Sequence, residues 1–185
     1  MEAFFVSFGL VALAEMGDKT QILALVLAGR FRRPVPIIAG ISAAALLSHL
    51  AAAALGAFIG LKLEGPWLRW IVALSFFAIA VWAMLPEKPD GTDMPPPRIG
   101  VFGATACTFF IAELGDRTQI ATVALAAHYA VWLPVVAGTT LAMMATNIPA
   151  VLLGGQLQRW LSLRSLRWGA ALISVALGVA ALVET

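Results

Sequence analysis

A seven-residue motif that occurs twice constrains this chain more than any other feature. The copies are EMGDKTQ at residues 15–21 and ELGDRTQ at residues 113–119. Each copy places two carboxylates and one cation within five residues, inside a stretch that is otherwise apolar. A charged group in the middle of a bilayer costs at least about 2.5 kcal/mol, so charges at such a depth mark a functional site by default. We therefore expect the rest of the chain to position the two motifs against each other.

The composition indicates a polytopic membrane protein. The chain has 185 residues, of which 61% are hydrophobic and 12% are charged, whereas a soluble domain has about 25% charged residues. Its formal net charge is +2, but the basic residues lie mostly in short loops, and no patch suited to nucleic acid is found. The single cysteine, Cys107, has no intrachain partner for a disulfide. The N-terminal region enters an apolar span without a basic start, unlike a cleaved signal peptide.

Six segments have the roughly 20 residues that a bilayer-crossing helix needs. Their long, continuous apolar runs favour helices over barrel strands, which would alternate over about ten residues. The only long connection is residues 86–98 (PEKPDGTDMPPPR), which we expect to be an extended cytoplasmic linker without a fold of its own. The predicted spans are approximately Phe4–Leu27, Pro36–Ile59, Trp67–Leu85, Ile99–Ala127, Leu133–Gly155 and Leu166–Val183.

The first half of the chain matches the second half after a shift of 98 residues, without a gap. Of the 72 positions from Ala14 to Leu85, about 25 are identical to their counterparts, which indicates an internal repeat. The sequence predicts one three-helix repeat at residues 1–85 and another at residues 99–185. Because three is an odd number, the second repeat enters the membrane from the opposite side. The predicted fold class is all-α and integral to the membrane, with six transmembrane helices as two inverted repeats.

The distribution of basic residues predicts the orientation of the chain in a multi-pass membrane protein. Most lysines and arginines lie in the first, third and fifth loops, whereas the opposite side has only Lys62 and Arg69. Positive loops stay in the cytoplasm, so both termini are expected outside, across the inner membrane if the source is a bacterium. The basic residues of the odd-numbered loops are Arg30, Arg32, Arg33, Lys88, Arg98, Arg159, Arg164 and Arg167.

Both motifs lie near the midpoint of a predicted span. On a continuous helix, Asp18 and Lys19 would share a face with Glu15, three and four residues away. Gly17 inside this patch permits either a close helix approach or a local break that frees backbone carbonyls. Inverted symmetry would then bring both patches together in one site in the middle of the membrane. The predicted site contains the acids Glu15, Asp18, Glu113 and Asp116, surrounded by Lys19, Thr20, Gln21, Arg117, Thr118 and Gln119.

The formal charge of this predicted site is minus two, from four carboxylates and two cations. One divalent cation neutralises that charge, and so do two protons. Carboxylate, hydroxyl and amide oxygens suit hard ions such as Mn²⁺ or Ca²⁺, and the site has no thiolate for soft metals. A site that can become neutral in two ways favours an exchanger of divalent cations and protons, with the metal ion as transported substrate and no permanently bound cofactor.

The same residues also have plainer interpretations. A Glu-Lys pair at i and i+4 can be purely structural, but two copies at equivalent depth make that interpretation weaker. The threonines and glutamines of the motifs serve equally well as interhelical hydrogen-bond partners. His49, midway along the second span, and its counterpart Asn147 are candidates for supporting positions around the site. Packing is the favoured role for this pair, because Asn147 cannot titrate.

Other functions fit the pattern less well. An intramembrane aspartyl protease needs two carboxylates that share a proton, whereas here each aspartate is followed by a cation that would hold it ionised, so no enzyme is expected. A small-solute exporter, for instance of cationic amino acids, remains the alternative, with the acids binding an ammonium group. A purely structural membrane protein is the third option, and the paired intramembrane charges argue against it. A homo-oligomer is compatible with the sequence.

The paired motif Glu-x-Gly-Asp-(Lys/Arg)-(Thr/Ser), on the first helix of each three-helix repeat, resembles a family signature. The family comprises Golgi and chloroplast-envelope cation/proton antiporters and bacterial manganese exporters, within the wider calcium/cation antiporter group. The resemblance covers essentially the whole chain and implies export of Mn²⁺, or of Ca²⁺, from the cytoplasm in exchange for protons. It implies that the ion-binding acids are Glu15, Asp18, Glu113 and Asp116, supported by Lys19, Thr20, Arg117 and Thr118.

Overall fold

The computed structural model of the chain describes residues 1–62, 66–85, 99–153 and 163–183, with side chains for all of these except residues 66 and 163–167. These residues form eight helices and no strand, which confirms the predicted all-helical class. The helices are α1 (Glu2–Glu15), α2 (Lys19–Phe31), α3 (Pro34–Lys62), α4 (Pro66–Met84), α5 (Gly100–Glu113), α6 (Arg117–Tyr129), α7 (Trp132–Leu153) and α8 (Leu163–Val183).

Three of these helices are long and apolar enough to cross a bilayer: α3, α4 and α7. Shorter apolar helices are formed by Gly100–Glu113 and Trp168–Val183. The predicted linker at residues 86–98 lies outside the described residues. So do the basic residues Lys88, Arg98 and Arg159 and the side chains of Arg164 and Arg167, on which the predicted orientation partly depends.

The first and fourth predicted spans are each broken into two helices at the motif. The first helix ends at Glu15 and the next begins at Lys19, and the second motif breaks its span in the same way. Neither span is one continuous helix, and of the two alternatives that the sequence permits at Gly17, a close helix approach or a local break, the break is the one observed. The break depends on Gly17 and Gly115, whose φ angles of 80° and 73° lie in the left-handed region. A side chain disfavours that region, and glycine does not.

The two halves pack their helices in equivalent ways. Helix α1 packs against α7, and its counterpart α5 packs against α3. A Cβ atom at Gly138 of α7 would lie 2.6 Å from the carbonyl oxygen of Phe4, and one at Gly40 of α3 would lie 2.9 Å from that of Phe102. Gly40 and Gly138 are counterparts in the repeat, and so are Phe4 and Phe102. The same close helix approach is therefore built twice, and it holds α1 and α5 against the long helices.

The apolar core has two main clusters, and each motif lies at the junction between them. The first cluster includes Leu10 of α1, Phe76 of α4 and Leu125 of α6, together with residues of α8. The second includes Leu27 of α2 and Phe109 of α5, packed between residues of α3 and α7. Helices α1 and α6 contribute to the first cluster and α2 and α5 to the second, so each motif joins a helix of one cluster to a helix of the other.

Candidate functional site

Each helix break is closed by a glutamine from the helix that follows it. The backbone N–H of Gly17 donates a hydrogen bond to Oε1 of Gln21 at 2.9 Å, and that of Gly115 donates to Oε1 of Gln119 at 2.8 Å. An interrupted helix leaves backbone N–H groups without intrahelical acceptors, and such groups are costly to bury. The glutamines of the motif therefore stabilise the broken backbone in both repeats.

The same two glutamines connect the breaks to the long helices. Nε2 of Gln21 donates to the carbonyl oxygen of Thr146 in α7, and Nε2 of Gln119 donates to Oγ of Ser48 in α3, both at 3.2 Å. Ser48 and Thr146 are counterparts in the repeat, but neither was predicted as a site residue. Their signal in the sequence is weak, since it consists only of a hydroxyl side chain at one equivalent position of each repeat.

Three buried carboxylates of the two motifs lie close together. One carboxylate oxygen from each of Glu15, Glu113 and Asp116 lies within 4.8 Å of the other two, and the three side chains are buried. Glu15 is the last residue of α1 and Glu113 is the last residue of α5, so the two broken helices point their ends at the same place. Neighbouring carboxylates disfavour each other's charge unless a cation or protons compensate it. Oxygen ligands of this kind can hold a hard divalent cation.

The fourth acid and the two cations of the motifs are paired across the repeats. Arg117 forms a buried ion pair with Asp18, and Nζ of Lys19 lies 3.6 Å from Oδ1 of Asp116. The prediction that Glu15, Asp18 and Lys19 share one face of a continuous helix is wrong, because the helix ends before Asp18. Each cation instead compensates the aspartate of the other repeat, so the acids of the two motifs are brought together only when both halves are in place.

The two ion pairs compensate the aspartates, so the remaining negative charge of the site lies on the two glutamates. Oε2 of Glu15 accepts a hydrogen bond from Oγ1 of Thr20 at 2.7 Å. Oε1 of Glu15 and both carboxylate oxygens of Glu113 are buried and form no hydrogen bond of ordinary geometry within the described residues. A buried charge without a partner is strongly disfavoured. Glu15 and Glu113 are therefore the part of the site at which a cation or protons would stabilise the protein most.

The remaining residues of the motifs surround this cluster. Thr118 is buried, and its Oγ1 lies 3.5 Å from Oδ2 of Asp116. A small cavity of about 10 Å³ lies beside the first break, next to the ion pair of Asp18 and Arg117. This volume is close to the minimum that one water molecule requires. The cavity is lined by Leu13, Ala14, Met16, Gly17, Asp18, Ala83, Arg117 and Ala170.

His49 and Asn147 are buried next to the residues that hold the glutamines. Nδ1 of His49 lies 3.2 Å from Oγ1 of Thr140, and Nδ2 of Asn147 donates to the carbonyl oxygen of Met143 at 3.0 Å. Within the described residues, neither side chain forms a hydrogen bond with one of the four acids. Their contacts join α3 to α7 and support the helices that flank the site.

Comparison with known proteins places this chain among cation transporters. The sequence model of the family described as divalent cation/proton antiporter GDT1 matches residues 3–91 and 101–185, one block for each repeat. A Vibrio cholerae serotype O1 protein named "Putative manganese exporter" is 47% identical over 155 residues, which are 83% of this chain and 77% of that protein. No solved structure matches this chain.

More distant relatives carry the family name. "GDT1-like protein sll0615" of Synechocystis sp. is 31% identical over 160 residues, covering 71% of this chain and 73% of that protein. "GDT1-like protein 4" of Oryza sativa subsp. indica is 28% identical over 155 residues, covering 69% of this chain and 54% of that protein. Since the family match includes both motifs and nearly the whole sequence, this chain is a membrane transporter that belongs to the divalent cation/proton antiporter GDT1 family.

Proposed function

We propose that this protein exports a divalent cation from the cytoplasm in exchange for protons, with Mn²⁺ as the main substrate and Ca²⁺ as a second one. The observation that carries the proposal is the buried cluster of Glu15, Glu113 and Asp116, each of which offers one oxygen within 4.8 Å of those of the other two. Support for proton exchange comes from the family description, and support for manganese comes from the name of the Vibrio cholerae relative.

In this proposal each residue of the motifs has a defined task. Glu15, Glu113 and Asp116 supply oxygen ligands to the cation, and Asp18 completes the set of acids beside them. Lys19 and Arg117 compensate the two aspartates and so limit the site to two negative charges. The supporting residues Thr20, Gln21, Thr118 and Gln119 orient the acids and hold the helix breaks, with His49 and Asn147 behind them. Hard oxygen ligands suit Mn²⁺ and Ca²⁺.

Exchange follows from the charge that remains on the two glutamates. With both aspartates compensated, one divalent cation between Glu15 and Glu113 makes the site neutral. Two protons on the same carboxylates achieve the same result. Because the empty, doubly negative site is disfavoured inside the protein, the loaded forms are the ones that change their exposure from one side of the membrane to the other.

The proposed architecture is a six-span fold of two inverted repeats, residues 1–85 and 99–185, joined by the linker at residues 86–98. Helices α1 and α2 together form the first span, and α5 and α6 form the fourth. The equivalent glycine contacts of α3 and α7 support this arrangement. Discontinuous helices that meet near the bilayer midplane are typical of inverted-repeat transporters. The site needs no second subunit, since both repeats of one chain build it, and a homo-oligomer remains a separate hypothesis.

The proposed orientation has both termini outside and the linker in the cytoplasm. Arg30 in the last turn of α2 and Arg32 and Arg33 directly after it are exposed, and they support this orientation through the preference of basic residues for the cytoplasmic side. Reporter fusions after residue 98 and after residue 185 test the orientation. We expect cytoplasmic reporter activity at the first junction and external activity at the second. A cytoplasmic C-terminus would contradict the odd number of spans in each repeat.

Metal-dependent proton flux in proteoliposomes tests the function. The purified protein is reconstituted with a pH-sensitive dye inside the vesicles, and Mn²⁺, Ca²⁺, Mg²⁺ or Zn²⁺ is added outside. We expect Mn²⁺ to move protons in the opposite direction, followed by Ca²⁺, with no flux in protein-free vesicles. The alternative of a cationic amino acid exporter finds no support among the relatives. Inhibition of Mn²⁺ flux by excess lysine, or flux driven by lysine alone, would favour that alternative and contradict the proposal.

A further inference from the structure

Helices α4 and α8, the last helices of the two repeats, form one closely packed pair. A Cβ atom at Gly178 of α8 would lie 2.8 Å from Cε1 of Phe77 in α4, so the ring of Phe77 packs directly against this glycine. Extensive contacts between α4 and α8 continue along the pair. A tightly packed interface resists continuous deformation. The α4/α8 pair is therefore expected to move, if it moves, as one body.

This pair covers only one of two equivalent surfaces. Helices α1 and α6 meet along a line that we call the α1/α6 seam, and their repeat counterparts α5 and α2 meet along the α2/α5 seam. Within the described residues, α4 packs on α6 and α8 packs on α1, whereas neither helix packs extensively on α2 or α5. Phe76 of α4 and Leu177 of α8 belong to the same apolar cluster as Leu10 of α1 and Leu125 of α6. The packing of the pair thus breaks the symmetry of the repeats.

The asymmetry is seen in the exposed fractions of residues that are counterparts in the repeat. Ala124 of α6 is 4% exposed, whereas its counterpart Val26 of α2 is 48% exposed. Leu13 of α1 packs against alanines of α4 and α8, whereas its counterpart Ile111 of α5 is 67% exposed. The α2/α5 seam therefore presents an apolar surface equivalent to the one that the α4/α8 pair covers on the α1/α6 seam.

The two cations of the site differ in exposure in the same way. The side chain of Arg117 is 6% exposed and lines the small cavity beside Ala83 of α4 and Ala170 of α8. The side chain of Lys19, its counterpart, is 22% exposed, and Gly115 of the second motif is exposed as well. The site is thus covered more closely on the side of the α1/α6 seam than on the side of the α2/α5 seam.

We propose that the α4/α8 pair is the moving gate of this exchanger, and that it alternates between the two seams. In the present state it covers the α1/α6 seam, which the proposed orientation assigns to the outer half of the membrane. The structure then corresponds to a cytoplasm-facing state, in which the partly exposed side chain of Lys19 lies between the site and the cytoplasmic side. In the opposite state the pair covers the α2/α5 seam and exposes the α1/α6 seam. This inference rests on the proposed exchange function.

Repeat symmetry specifies which residues meet in the opposite state. Leu13 now faces Gly169, where a Cβ atom would lie 3.4 Å from Cδ1 of Leu13. The counterparts of these two residues are Ile111 and Ile71, and both are exposed in the present state. If the α4/α8 pair moves as proposed, we expect Ile71 and Ile111 to come into contact. Because the two seams are built from related sequences, the two states are expected to have similar free energies, and small differences in ligand affinity can shift their populations.

Disulfide cross-linking of two cysteine pairs tests the gate. Both pairs are introduced into a Cys107→Ala parent, which removes the native cysteine. One variant carries Leu13→Cys with Gly169→Cys, and the other carries Ile71→Cys with Ile111→Cys. With copper phenanthroline we expect the first pair to cross-link at rest and the second to cross-link during Mn²⁺/proton exchange. Either cross-link should lower Mn²⁺ flux at least tenfold, and a reductant should restore it. The four single-cysteine variants serve as controls for links between molecules.

The outcomes separate the gate from the transport function. If the second pair never cross-links, with or without Mn²⁺ and from about pH 5 to pH 8, the gate is overturned. Full flux in protein that is cross-linked at either pair would overturn it as well. Cross-linking itself does not require transport. A Cys107→Ala parent that moves no protons with Mn²⁺ would therefore contradict the exchange function, while cross-linking at both pairs in that parent would still support the movement.

Discussion

At the scale of single residues, the acids of the two motifs divide into two kinds. Asp18 and Asp116 are paired with the cations of the opposite repeat, whereas Glu15 and Glu113 have buried oxygens that form no hydrogen bond of ordinary geometry within the described residues. The sequence identifies all four as candidate site residues, because charges inside apolar segments are costly unless they serve a function. It does not predict the pairing, since local spacing suggests partners within one motif and the actual partners come from the other repeat.

The glutamates are the most sensitive residues of the proposed site. Replacing Glu15 or Glu113 by glutamine keeps the shape of the side chain and removes its charge. We expect either change to lower Mn²⁺ resistance at least tenfold in a host that lacks its own exporter, with unchanged amounts of protein in the membrane. Glu2→Gln is the matched control, because Glu2 is exposed at the start of α1. Wild-type resistance in Glu113→Gln at equal protein level would remove this residue from the ion site.

The two cations should differ in their contribution to stability. Arg117→Gln leaves Asp18 as a buried charge without its ion-pair partner, and breaking a buried pair in this way costs about 3 to 5 kcal/mol. Lys19→Gln should cost less, because the side chain of Lys19 is 22% exposed and 3.6 Å from Asp116. Thermal unfolding of the purified variants in detergent compares them. A melting temperature that falls further for Lys19→Gln than for Arg117→Gln would contradict the assigned burial of the two pairs.

At the scale of helices, the sequence predicts where apolar segments begin and end but not that two of them are broken. A single glycine in an apolar run is compatible with a continuous helix, so Gly17 alone permits both a close helix contact and a break. The break is stabilised by tertiary contacts, among them the bond from Gln21 to α7 and that from Gln119 to α3. Such long-range partners cannot be read from local periodicity, whereas the equivalent positions of the breaks follow directly from the internal repeat.

The contact between α1 and α7 depends on a glycine, and a matched pair of substitutions tests it. Gly138→Ala places a Cβ atom 2.6 Å from the carbonyl oxygen of Phe4, which forces the helices apart. We expect it to lower the free energy of unfolding by about 1 to 3 kcal/mol, the usual range for overpacking. Gly9→Ala is the control, because nothing lies within 4 Å of the added atom, and alanine favours a helix by about 1 kcal/mol. Equal melting temperatures for both variants would contradict the close contact.

At the scale of the whole molecule, the chain combines a symmetric sequence with an asymmetric structure. The repeat predicts two equivalent seams, and Gly40 and Gly138 make equivalent contacts in the two halves. What the sequence cannot predict is which seam the α4/α8 pair covers, because both seams have the apolar residues to receive it. In the proposed gate, the difference in exposure between Ala124 and Val26 belongs to one conformational state and is reversed in the other.

The charge of the complete site limits the stoichiometry of exchange. Four carboxylates and two cations give minus two, so one Mn²⁺ or two protons produce loaded sites of equal net charge. Neither loaded form then carries net charge through the membrane potential, which otherwise costs about 2.3 kcal/mol per charge per 100 mV. We therefore expect electroneutral exchange of one Mn²⁺ for two protons, driven by the pH gradient and independent of voltage.

Proteoliposomes with a clamped potential measure this stoichiometry. The potential is set with K⁺ and valinomycin, and internal Mn²⁺ and pH are followed together at a constant pH gradient. The steady-state Mn²⁺ gradient should stay unchanged as the potential is varied, and a gradient that follows the potential would contradict one-for-two exchange. Lys19→Gln makes the empty site one charge more negative, so this variant should release Mn²⁺ more slowly or couple to a different number of protons. Wild-type coupling in Lys19→Gln would mean that the ion pair with Asp116 does not set the charge of the site during transport.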